Sequence, residues 1–132
     1  MRKLPVLLLP VLLVVVFAVL AAACSSSDAS EQIEGVWEDT TNGVYTGMNE
    51  DGQYQVAENL ELAPPFEWGD YTFDGETLTT NATPDSINCP DTSITWTVEF
   101  SDDGDEARLT FVEDSCVGSP RAQDLIWLRQ SS

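Results

Sequence analysis

The residues best equipped for chemistry in this chain are its carboxylates and its thiols. There are 23 Asp and Glu against five Lys and Arg, there is no His, and the three cysteines stand at positions 24, 89 and 116. The densest acidic run, Asp102-Asp103-Gly104-Asp105-Glu106, crowds four carboxylates around a glycine in the manner of a calcium loop. It lacks the alternating ligand spacing and the distant bidentate Glu of an EF-hand, and a solvated hairpin turn is the stronger reading. Glu50-Asp51 and Glu113-Asp114 also fall at expected turns. Two carboxylates held about 5–9 Å apart in a cleft can cleave a glycosidic bond, but nothing in the sequence singles out a pair. Without His the usual general base and most zinc geometries are missing. These residues point to a non-enzymatic protein with no cofactor and no metal.

The position of Cys24 gives it a different chemistry. Arg2 and Lys3 precede an uncharged run rich in Leu and Val from Leu4 to Ala23, which ends in small residues. A basic start, an apolar middle and a small-residue end make a secretory signal. The run resembles a bacterial lipoprotein signal, in which small residues precede a cysteine that is diacylated through its sulfur and becomes the mature N-terminus. Ala21 stands where Leu is usual, with Leu20 one position further back. Twenty apolar residues could instead span a bilayer, but Pro5 and Pro10 interrupt a continuous helix and a span needs no cysteine at its end. The resemblance implies residues 1–23 as a signal peptide and at least two acyl chains on Cys24. Two chains hold a protein firmly to a membrane where one holds it marginally. It also implies the bacterial cell envelope, outside the cytoplasm, periplasmic or extracellular. Ser25 rather than Asp after the cysteine resembles an outer-membrane sorting choice in a two-membrane host.

Residues 24–132 hold all the carboxylates and only Arg108, Arg121 and Arg129, so 23 negative charges against three positive leave −20. Such a surface repels nucleic acid and anionic headgroups. Acidity of this degree would permit disorder, but four Trp, three Tyr and five Phe, interleaved with Thr and Val, argue for a packed β domain. Self-repulsion of that domain should weaken as salt screens it. The expected result is a thermal midpoint that rises from low to high sodium chloride, and an unchanged midpoint would count against it.

The remaining chemistry depends on what positions it. Ser25 to Ser30 is small, polar and without periodicity, which reads residues 24–32 as a flexible tether to a domain over 33–132. Four X-Gly pairs, Asn42-Gly43, Asp51-Gly52, Asp74-Gly75 and Asp103-Gly104, are hairpin signals. Around them lie eight expected strands, near 35–41, 44–49, 53–58, 69–74, 76–82, 93–101, 106–113 and 124–130. Ile94, Trp96, Val98 and Phe100 alternate with Thr95, Thr97 and Glu99, so one face is dry and the other wet. Tyr71 with Phe73, and Tyr54 with Val56, show the same period of two. Eight hairpin-linked strands suggest an all-β, up-and-down antiparallel barrel, since closure removes exposed edges. A two-sheet sandwich is the alternative. The three Asp-Gly turns then share one tight end. Three long links, Asn59 to Trp68, Thr83 to Thr92 and Asp114 to Gln123, gather at a loopy end, the candidate mouth.

Gly35-Val36-Trp37 opens the first strand and Arg129 closes the last. This resembles the lipocalin signature, in which a Gly-x-Trp packs beneath a near-terminal Arg. The resemblance implies a guanidinium stacked on the indole, closing the narrow end. The short Asn42-Gly43 link and the modest chain length depart from a typical lipocalin, as does the lack of a flanking helix.

Cys89 and Cys116 both fall in mouth loops. An exported chain meets an oxidising compartment, so a disulfide is the natural reading; its loop of about 28 residues would contribute roughly 3–4 kcal/mol. Two functions follow for what is expected to be a monomer. In one, Tyr54, Tyr71, Phe73, Trp96, Val98, Leu109 and Phe111 line an interior that admits a small apolar ligand between the long loops. In the other, those bulky side chains fill the barrel, and its loops bind or inhibit another protein, a basic one by charge. Ala63-Pro64-Pro65-Phe66-Glu67-Trp68 is then the candidate exposed contact loop, unless its aromatics simply cap the barrel.

Overall fold

The computed structural model describes residues 28–116 and 118–131; the signal segment, Cys24 with its expected acylation, and Ser25 lie outside the described residues. A short helix α1 (Asp28–Ile33) leads into strands β1 (Gly35–Asp39), β2 (Val44–Met48), β3 (Gln53–Ala57) and β4 (Glu67–Phe73). Strands β5 (Thr77–Ala82), β6 (Ser93–Phe100), β7 (Glu106–Asp114) and β8 (Leu125–Arg129) follow. They form one closed barrel in sequence order. Every pair is antiparallel, and β1 meets β8 through Trp37 opposite Arg129 and Asp39 opposite Trp127. Closure excludes the sandwich.

The alternation read from the sequence sets the inward face. Ile94, Trp96 and Val98 of β6 are buried, as are Tyr54 and Val56 of β3. Each X-Gly turn closes with its glycine at positive φ, from 70° at Gly43 to 101° at Gly75, where a side chain would be strained. Asp74 fixes its turn by accepting hydrogen bonds from the amides of Glu76 (2.9 Å) and Thr77 (2.6 Å). A bulge in β7 lets Trp96 face Phe111 and Thr95 face Glu113, and turns Val112 out to solvent.

Two expectations need correcting. The stretch 24–32, read as a flexible tether, runs into a helix over Asp28–Ile33. Six residues are too few to show periodicity, and what decides the conformation is Ile33, which is fully buried against the tight end. Its carbonyl accepts the Trp37 indole N–H at 2.9 Å. Second, Glu67 and Trp68 do not belong to an exposed loop. They begin β4, with Glu67 opposite Val56, and Glu67 is only 1% exposed.

Arg129 organises the tight end. Its Cζ lies 4.2 Å from the Trp37 ring centroid. Nη1 donates to the Glu34 carbonyl (2.6 Å), Nη2 to that of Gln32 (2.6 Å) and Nε to that of Gly104 (3.1 Å). Two of these carbonyls flank the C-terminal end of α1, where backbone acceptors have no partner within the helix. Arg129→Ala should therefore cost about 2 kcal/mol and selectively speed amide exchange over α1. Uniform exchange changes across the barrel would contradict that role.

Candidate functional site

The residues expected to line a ligand cavity do come together. Tyr54, Tyr71, Trp96, Val98 and Leu109 are buried in one cluster, with Phe73 and Phe111 half-buried against it. The space between them is occupied. Trp37, Leu78, Trp96 and Trp127 expose 0% of their surface, so nothing the size of water touches them. At the tight end the Trp37 ring lies 6.0 Å from Trp127 and 6.1 Å from Phe100, and Phe73 meets Phe100 edge-on at 5.9 Å.

At the mouth end the filling is charged. Arg121, from the β7–β8 link, is 1% exposed and its Nη1 is ion-paired with Glu67 Oε2 at the start of β4. The Tyr54 hydroxyl donates to the same carboxylate oxygen at 2.7 Å. The guanidinium lies 5.6 Å from the Tyr54 ring and 5.2 Å from the Trp96 ring, within cation–π range. Trp96 Nε1 donates to the Gln123 carbonyl (3.1 Å), a second tie between β6 and the loop that carries Arg121. Three polar atoms of the pair, Glu67 Oε1 and Arg121 Nε and Nη2, find no hydrogen-bond partner among the described residues. Phe66 packs half-buried on the core and acts as a cap.

The Cys89–Cys116 disulfide forms as expected, with Cα atoms 5.5 Å apart, and joins the β5–β6 link to the β7–β8 link. It holds the base of the loop that delivers Arg121. Neither Glu67 nor Arg121 stood out in the sequence. Strand parity could have found the first: two steps back from Tyr71, and two more, reach Gly69 and Glu67 on the inward face.

Burial raises the Tyr54 pKa most strongly, the negative charge of Glu67 raises it further, and Arg121 opposes both. Tyr71 is also raised, by burial and then by Glu34. A phenol whose folded pKa exceeds the unfolded value of about 10 keeps its full stabilising contribution below pH 10 and loses it as pH rises further. The denaturation midpoint should thus fall beyond about pH 10, and the fall should be shallower in Tyr54→Phe. Equal slopes in both proteins would remove Tyr54 from the explanation.

Among the described residues no group of carboxylates or cysteines gathers as a metal site. In the acidic 102–106 turn, Asp103 Oδ1 accepts from the Ser101 hydroxyl (2.6 Å) and the Asp105 amide (3.0 Å), which holds its carboxyl below the usual range.

A second feature lies on the outer wall. Val36, Gly47, Gln55 and Trp68 stand in register across β1 to β4. The β3–β4 link folds back so that Leu62 covers Gly47, where an added Cβ would come within 2.3 Å of Leu62 Cδ1. Between them runs an open groove of about 480 Å³, edged by Gln53 and Asp70.

Together these features define a closed, side-chain-filled, eight-stranded antiparallel barrel with a clasped mouth, an architecture compatible with a lipocalin-like fold. No protein-family model, curated protein or solved structure matches the chain.

Proposed function

We propose that this chain is a lipocalin-like, lipid-anchored and non-enzymatic binding module of the bacterial cell envelope, and that it meets a basic protein through its outer surface and loops. The observation that carries this reading is the mouth, closed from within by the Arg121–Glu67 pair above a core whose Trp37, Leu78, Trp96 and Trp127 expose no surface. An apolar ligand among Tyr54, Trp96 and Leu109 would first have to displace the buried Arg121 guanidinium from Glu67. The charge of −20 over residues 24–132 favours a cationic partner and would speed its approach. Attachment through Cys24 puts the membrane at the tight end, where α1 enters, and turns the mouth loops away from it.

The test is native mass spectrometry of the full chain in lipid nanodiscs, with hen lysozyme as the basic probe and palmitate as the apolar one. A one-to-one complex with lysozyme that weakens steeply with salt, and no retained palmitate, is the expected result. Retained palmitate that is lost in Trp96→Glu, with lysozyme ignored, would overturn this reading in favour of a ligand inside the barrel.

A further inference from the structure

We infer that the groove on the outer wall of β1 to β4 is a binding site for a short, uncharged saccharide. Its chemistry differs from that of the rest of the surface. The chain carries 23 carboxylates, yet among the thirteen residues that line this groove only Asp70 is charged. A cationic partner would find stronger fields almost anywhere else on the molecule. A purely apolar ligand would strip water from Gln53, Gln55 and Asp70 and offer them nothing in return. What fits is a ligand with apolar faces and a hydroxylated edge.

The residue types are arranged for such a ligand. Trp68 is half-buried, whereas Trp37, Trp96 and Trp127 are fully buried. Its indole lines the groove, where the C–H face of a sugar ring can pack against it, and Val36 and Leu62 add apolar lining. Gln55 stands directly opposite Trp68, and Gln53 directly opposite Asp70. Side chains opposite one another on neighbouring strands lie about 5 Å apart, and those two residues apart on one strand about 7 Å. The aromatic platform and the carboxylate are thus separated by about the width of one ring. Amides donate and accept, as hydroxyls do, and a carboxylate can accept from two adjacent hydroxyls. The volume lies within the range of small-molecule sites. Gly47 is part of the construction, because any side chain there would displace Leu62 from the wall.

The experiment uses the full chain in lipid nanodiscs, titrated with the β-1,4 trimer of N-acetylglucosamine, the β-1,4 trimer of glucose and the α-1,4 trimer of glucose. At least one should shift tryptophan emission to shorter wavelength in a saturable way, since Trp68 is the indole that loses water. Calorimetry should then find binding weakened about 10-fold in Trp68→Ala, partly restored in Trp68→Phe, and weakened in both Gln55→Ala and Asp70→Asn. The far-ultraviolet spectrum and denaturation midpoint of each variant report whether the barrel is intact. The proposal is overturned if no trimer binds, or if binding is the same in Trp68→Ala. It is equally overturned if heptalysine, or a second copy of the chain in sedimentation, occupies the groove instead. The trimers are titrated without lysozyme, so these outcomes are read separately from its binding.

Discussion

Replacing Arg121 with Ala is expected to cost about 3–5 kcal/mol of folding stability, a large share of the roughly 5–15 kcal/mol that holds a domain together. The cause is the group left behind. Glu67 is 1% exposed and would keep a buried charge with only the Tyr54 hydroxyl to answer it. Arg121→Ala combined with Glu67→Gln removes that charge and should recover part of the loss. Arg121→Met combined with Glu67→Leu should equal the natural protein or exceed it, because three polar atoms of the pair have no partner among the described residues and an apolar pair avoids that penalty. Urea denaturation of the variants measures the order. If Arg121→Ala lies within about 0.5 kcal/mol of the natural protein, the pair does not hold the mouth.

Removing the disulfide by Cys89→Ser with Cys116→Ser should cost about 3–4 kcal/mol, from freedom regained by the unfolded chain. It should also act locally. Arg121 follows Cys116 by five positions, so a loosened link lets the guanidinium leave its site more often. Two consequences separate this from a purely unfolded-state effect: the Trp96 indole N–H, bonded to Gln123, should exchange faster, and combining the serine changes with Arg121→Ala should cost less than the sum of the two. Strict additivity would show the bridge and the ion pair to be independent.

The framework of this barrel was legible because it is written locally. Asp-Gly and Asn-Gly pairs mark the turns, and the alternation from Ile94 to Phe100 assigns a face to each residue of β6 without knowledge of the rest. The pairing of Cys89 with Cys116 followed from two thiols in neighbouring links. The plug was hidden because it joins residues 54 positions apart, one in a strand and one in a loop. Glu67 comes directly after Pro64-Pro65-Phe66, a run that reads as loop, and a carboxylate suggests solvent when its distant partner is unknown. The helical turn at 28–33 was masked by serine and by its own brevity; the burial of Ile33 is a tertiary effect. The outer groove depends on Leu62 at φ 59° folding over Gly47, a backbone choice that no periodicity reports.

Arg129 can also be seen as a mechanical part. It grips the carbonyls of Gln32 and Glu34 from the end of the last strand, and the Gln130 amide adds a bond to the Val36 carbonyl. A pull applied to the chain ahead of Asp28 therefore reaches β8 before it can work on β1 alone. The first and last strands then take the load side by side and pass it to their outer ladders with β2 and β7, which must give together. Without that grip the same pull would peel β1 away one rung at a time.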